Sequence, residues 1–388
     1  MALGPRPSLN DKVEGFDSSK RSGQTMVAGQ DRSPKRDGRL LELDALRGIA
    51  AILVVFFHFT AAYGYEFGWG DTQPLVRLTS GQAGVALFFV ISGFVIAMTL
   101  ERSESALDFV VSRFARLYPT FWFSALLTTS LIVATGFNPF HLTLQGFLAS
   151  LTMANGLTDI PFIDPAYWTL TREILFYAFF ATAYFGVGPR HTTAVLLAWI
   201  IGTSFYNVFV SDTNFYACRT AASCGAIALN ATFAHLFAAG ALGYKLYRGE
   251  RTPLVLVTLL AAILAGSVSF WPEHGFQPSA SLKAALFVGV VVAAAGGLLK
   301  ILQSRVLVFF GAISYSLYLL HQVIGYFLIG GLLQRGVNAN LAILTAFCLL
   351  TALASAVCYG VERPSQRVIR RWYAAYRDRR RALPVPSA

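Results

Sequence analysis

The chain has 388 residues, of which 55% are hydrophobic and only 13% charged, about half the charged share of an ordinary soluble domain. A water-soluble globule cannot bury that much apolar surface. The formal charge of +11 raises nucleic acid as a partner, but the basic residues gather in short loops and in two tails, Arg32 to Arg39 and Arg363 to Arg381. Beside hydrophobic spans such runs read as flanks drawn to anionic membrane lipid, and no nucleic-acid partner is expected.

Residues 1–39 are rich in Ser, Gly, Asp, Lys and Arg, the composition of a disordered tail. Their charged and apolar residues do not form the adjacent regions of a cleavable signal peptide, so the first hydrophobic helix is expected to stay as an anchor. From there, apolar runs punctuated by Pro, Gly and charge predict spans near residues 44–64, 83–100, 119–136, 168–186, 192–210, 229–247, 252–270, 281–300, 307–332 and 339–361. Residues 142–155 are apolar but too short to cross about 30 Å of hydrocarbon, and read as an interfacial or re-entrant piece. The expected fold is an all-α integral membrane bundle of about ten transmembrane helices. With both termini cytoplasmic, Arg102, Arg113, Arg116, Arg190, Lys245, Arg248, Arg251, Lys300 and Arg305 fall on the inner side. Only Arg77, Arg219, Lys283 and Arg335 fall in outer loops, as the positive-inside rule requires. Residues 40–362 are then the membrane domain, and 363–388 a basic cytoplasmic tail.

Cys218, Cys224, Cys348 and Cys358 lack metal-type spacing, so no metal site is expected. Cys218 and Cys224 share an outer loop in this topology, where a disulfide is permitted, and the spacing leaves that bridge open.

An ionisable side chain near the bilayer centre costs about 2.5–3.5 kcal/mol, so each one asks for a reason. The spans hold Arg47, His58, Glu173, His235 and His321, with Arg172 near an end. At about 1.5 Å of rise per residue, His58 lies about 21 Å into the first span, His321 about 21 Å into the ninth, and Glu173 about 7 Å in from the outer boundary. These three are expected at one level, where a carboxylate beside an imidazole makes a better base. Arg47 shares a face with His58 about 16 Å away. It either receives the anionic head of a long ligand or snorkels to headgroups. Arg113 and Arg116, at i and i+3, face the same way and suit phosphate oxygens as well as they suit positive-inside decoration. Ser314, Tyr318 and His321 form one polar stripe, facing protein or a water-filled cavity. His235 lacks polar companions at helical spacing and reads as structural.

The run LDALRGIAAILVVFFH at residues 43–58 resembles the opening of the acyltransferase-3 family of membrane acyltransferases. GVALFFVISGFVIA (84–97), SRFARLYPTFW (112–122), YWTLTREILFY (167–177), SYSLYLLH (314–321) and VERP (361–364) are similar to its later signatures, in the same order. The resemblance implies transfer of an acyl group, commonly acetyl, from cytoplasmic acyl-CoA to a hydroxyl of a saccharide or glycolipid acceptor at a bacterial inner membrane. It implies His58, Glu173 and His321 as catalytic residues and Arg47, Arg113 and Arg116 as ligands of the donor's phosphates. Trp168, Tyr177, Ser314 and Tyr318 are assigned to substrate, and the small residues Gly84, Ser92 and Gly93 to packing around the donor's arm. The competing reading is a multi-pass transporter with a His/Glu proton relay.

Overall fold

A computed structural model describes residues 40–210 and 217–382, so the expected tail at 1–39 lies outside the described residues. The main helices are α1 (Leu41–Phe57), α2 (Gln82–Arg102), α3 (Ala106–Thr135), α4 (Trp168–Thr182), α5 (Thr192–Phe209), α6 (Ala234–Tyr247) and α7 (Pro253–Ala265). They are followed by α8 (Pro278–Ala295), α9 (Arg305–Leu320), α10 (Gln322–Leu333), α11 (Ala339–Val357) and α12 (Arg363–Ala382). No strand occurs among the described residues.

Each of the ten apolar runs is helical, but they are not equally long. Six helices among the described residues are long and apolar enough to cross a membrane, and a seventh crossing results if α9 and α10, bent by 76° at His321, count as one span. The remaining three runs hold the shorter helices α4, α6 and α7, so length alone does not yield the expected ten. The basic segment after the last span is helical over most of its length. Residues 363–382 form α12, which continues α11 through a π-helical turn at Cys358–Glu362.

Close approach of backbones sets the positions of the site. A Cβ on Gly48 would fall 2.7 Å from the Gly311 nitrogen, and one on Gly311 would fall 1.9 Å from the Asp44 carbonyl oxygen. Helices α1 and α9 therefore touch along their backbones and run parallel, with Gln303 bonded to Glu42 at their starts. Gly84 and Gly93 do similar work on α2, meeting Ala50 of α1 and Phe237 of α6. These glycines join helices; of the three small residues assigned to the arm, only Ser92 lines the central cleft.

Arg172, fully buried, also has a structural task. It donates to the Ile227 carbonyl at 2.9 Å and lies over the Phe233 ring. A Cys218–Cys224 disulfide is formed between α5 and α6, where Arg219 pairs with Asp159 at 2.8 Å.

Candidate active site

His58 stands ten residues beyond Gly48, and His321 ten beyond Gly311. Two parallel helices in contact at those glycines must bring the histidines to one level, about 15 Å further along. His321 Nε2 is 3.1 Å from His58 Nδ1. His58 Nδ1 also lies 2.8 Å from the Val54 carbonyl oxygen, and His321 Nδ1 2.6 Å from that of Tyr318. Carbonyl oxygens only accept, so each Nδ1 carries its proton and His321 Nε2 offers a lone pair to His58. The lone pair of His58 then resides on Nε2, the nitrogen that neither carbonyl nor His321 engages. A π-helical turn begins at His58 and runs to Ala62, a feature often found at functional positions.

The chain breaks at His321, and a break exposes backbone groups that must find partners. The Tyr318 carbonyl is taken by His321 itself, and the Leu319 carbonyl by the Tyr167 hydroxyl at 2.8 Å. Across the break, the Val323 N–H donates to Asp164 at 3.0 Å, while the other oxygen of Asp164 accepts from the Ala166 N–H at 2.9 Å. The segment leading into α4 thus satisfies the broken helix and fixes His321. Asp164 lies outside the spanning helices, and burial pushes its carboxyl up to about 7. Neither Asp164 nor this use of Tyr167 was marked by sequence pattern, because the partners they satisfy exist only once the helix is broken.

Toward the other end of the bundle lies an open cleft whose empty space, open solvent included, is about 810 Å³. Its lining includes Arg47, Arg113, Arg116, Glu173, Tyr177, Ser314 and Tyr318. His58, His321 and Trp168 are not part of that lining; Trp168 packs on Phe89 and Phe233. The cleft ends on Thr169 and Tyr318, whose hydroxyls are 2.6 Å apart, and the Tyr318 ring is 5.5 Å from that of His321. Val54, Ala166 and Tyr318 form a small apolar cluster at this end.

The expected pairing of Glu173 with His58 is not formed. Glu173 accepts from Ser92 at 3.1 Å and from the Tyr177 hydroxyl, and its charge acts on Arg116. The depth expected for Glu173 requires α4 to start at the membrane boundary. Its leading residues Asp164, Ala166 and Tyr167 are buried, so α4 starts inside the protein and Glu173 lies deeper, among the arginines. His321 occupies the place beside His58 that was expected of the carboxylate.

The arginines differ in their engagements. Arg47 pairs with Asp44 one turn away at 3.4 Å. Arg116 forms an ion pair with buried Glu362 and lies 5.3 Å from the Tyr315 ring centre. Glu362 also accepts from Ser316 of α9 at 2.7 Å, tying α3, α9 and the α11–α12 turn together. Arg113 is bonded to its neighbour Ser112 at 3.2 Å, and its Nε is buried without a hydrogen-bond partner. Glu362 escaped notice as a site residue because it falls just past the expected end of the last span. Among the described residues, no group of three or more His, Cys, Asp or Glu converges as metal ligands would.

Apolar helices of spanning length around a cleft with a cationic mouth define a multi-pass membrane protein. The acyltransferase-3 family profile, an acyltransferase domain, matches residues 40–361, and the chain belongs to that family. It is 28% identical over 330 residues to the exopolysaccharide production protein ExoZ of Rhizobium meliloti (strain 1021), covering 81% of this chain and 95% of that protein. It is 31% identical over 163 residues to the acyltransferase MdmB of Streptomyces mycarofaciens, covering 39% of this chain and 41% of that protein. Nodulation protein 10 of Rhizobium leguminosarum bv. viciae is 31% identical over 164 residues, covering 36% of this chain and 43% of that protein. No solved structure matches. The protein is therefore a membrane enzyme that transfers acyl groups.

Proposed function

We propose that the enzyme moves an acyl group, acetyl in the simplest case, from cytoplasmic acyl-CoA to a hydroxyl of a cell-surface or lipid-linked saccharide at the bacterial inner membrane. The observation that carries this reading is the orientation of His58, whose Nε2 is left with a free lone pair beyond the closed end of an arginine-mouthed cleft. Arg47 and Arg113 hold the donor's phosphates at the mouth, while Arg116, engaged by Glu362, supports that surface. The thioester arm runs past Glu173, Tyr177 and Ser314 to Tyr318, whose ring must swing aside to admit the acyl end. His58 Nε2 then takes the proton of the acceptor hydroxyl as its oxygen attacks the thioester carbonyl, or takes the acyl group itself; both routes use one lone pair and release CoA. His321 Nε2 and the Val54 carbonyl steady the His58 Nδ1–H as positive charge develops on the ring.

The test has two arms. Millimolar acetyl-CoA should raise the unfolding midpoint of the purified protein, and no shift would refute the donor assignment. His58→Ala should cut acetylation of surface polysaccharide in a complemented deletion strain by about 10²-fold or more without loss of the protein from the membrane. Retained acetylation would remove His58 from the chemistry.

A further inference from the structure

Past the histidines, at the end of the bundle away from the cleft mouth, aromatic rings gather around polar atoms that have nothing to bond. The π-helical turn joins the Tyr63 N–H to the His58 carbonyl, so Tyr63 stands one turn beyond His58. Gln322 follows His321 directly, and Tyr326 stands one turn further along α10. The Tyr63 ring centre is 4.8 Å from that of Trp69 and 5.5 Å from that of Tyr326, and the Phe67 ring lies 5.4 Å from Tyr326. Tyr326 is fully buried, and Gln322 and Trp69 are each 6% exposed. Gln322 is within electrostatic reach of the Tyr326 hydroxyl, yet that hydroxyl, Gln322 Oε1 and Trp69 Nε1 all lack a hydrogen-bond partner. A buried donor or acceptor left unpaired destabilises a fold, and three in one cluster point to a partner from outside the chain. Trp69 covers the cluster. Its indole edge rests on Gly64, where a Cβ would fall 2.4 Å from Nε1, and it is flanked by Gly68 and Gly70, left-handed at φ +71° and +57° with open space around both. The indole can turn outward without moving the helix beneath it.

We propose that this cluster is the subsite for the acceptor saccharide, with one sugar ring against Trp69 and Tyr63 and its hydroxyls on Gln322 Oε1, the Tyr326 hydroxyl and the Trp69 N–H. This rests on the acyl-transfer reading above, in which donor and acceptor reach the histidines from opposite ends. A sugar ring has apolar C–H faces that pack on aromatic rings and a rim of hydroxyls that each donate and accept. The cluster offers the matching set, since Gln322 Oε1 accepts, Trp69 Nε1 donates and the Tyr326 hydroxyl does either. A lipid tail would bring no partner for any of the three.

The probe is the cell-envelope saccharide and glycolipid fraction of a deletion strain, titrated into full-length protein in nanodiscs with radiolabelled acetyl-CoA. Wild-type protein should transfer label to it. Tyr326→Phe and Gln322→Met keep the bulk and remove the spare polar atoms, and each should raise the KM for this fraction about tenfold with turnover held within about twofold. Trp69→Ala, which also removes the stacking face, should raise it further. The shift of the unfolding midpoint by acetyl-CoA should be unchanged in all three. Without acceptor, Tyr326→Phe should have a higher midpoint than wild type, because it loses a buried hydroxyl that had no partner. A lower midpoint with an unchanged KM would assign the hydroxyl to packing and overturn the subsite. If acetyl-CoA stabilises the wild-type protein but no label reaches the saccharide fraction, the acceptor reading falls and takes the subsite with it. If label is transferred and all three variants keep the wild-type KM, only the subsite is overturned.

Discussion

The two ends of the site are built from different forces. At the cleft mouth, arginines of α1 and α3 are arranged by charge, Arg47 beside Asp44 and Arg116 beside Glu362. At the histidine end no ion pair is involved: His58 and His321 are held by backbone carbonyls, by each other and by a glycine contact fifteen or so ångströms away. Electrostatic sites tolerate small displacements, since Coulomb attraction falls off gradually with distance. A tautomer set by hydrogen bonds does not, because those bonds weaken steeply with angle and length. The mouth can therefore collect a flexible anionic donor while the far end supplies one fixed lone pair.

The comparison is broken most severely at the glycines. Gly311→Val would drive a side chain into the Asp44 carbonyl, and overpacking against backbone costs about 3 kcal/mol or more because neither helix can yield locally. Little folded protein should accumulate, and what remains should have lost activity with its histidines out of register. Gly202→Ala, on α5 with open space around it, is the control and should be silent. Normal yield and activity of Gly311→Val would show that the α1–α9 contact does not set the histidine level.

A smaller effect is expected from the ion pair behind the mouth. Glu362 is 2% exposed in its side chain and Arg116 26%, and removing one partner of a buried pair leaves the other uncompensated, at a cost of about 3 kcal/mol. Glu362→Leu should lower the unfolding midpoint clearly, and Arg116→Met added to it should lower it less than the sum of the two single changes. Strict additivity would mean that the pair does not act as a unit.

Much of this was legible in the sequence, and the failures have physical causes. Arg47, His58, His321 and the helical character of every apolar run follow from the cost of charge in lipid and from periodicity, which are local properties. The His58–His321 contact follows from depth as well, once both spans are taken to run the same way. Glu173 was misplaced because depth was counted from an aromatic residue taken for a membrane boundary, whereas α4 begins inside the protein. Glu362 was passed over because it stands just past the expected end of the last span. Its significance depends on the register of α12 against α3, a long-range property that composition does not carry.

Asp164 gives the mildest test, and it sharpens the contrast because it is a carboxylate at the histidine end of the molecule that bridges the broken helix. Its two oxygens hold the N–H groups of Ala166 and Val323, while burial raises its pKa from the usual range to about 7. A raised pKa means that the folded protein binds a proton between about pH 4 and pH 7 that the unfolded chain does not. The stability contributed by that proton is complete below about pH 4 and lost as pH rises through about 7. The wild-type unfolding midpoint should therefore fall from about pH 4 to about pH 7 relative to Asp164→Asn, which cannot ionise, and run level with it above that. Asp164→Asn keeps an acceptor for one N–H and offers an amide where the other oxygen was, so it should loosen the break at Val323. That loosening should reduce turnover by a modest factor of about two to ten without changing CoA affinity, since a positioning group acts on the rate and the arginines of the cleft mouth lie at the other end. A midpoint difference that runs the opposite way with pH, or a loss confined to CoA binding, would detach Asp164 from His321 and leave the break held by Tyr167 alone.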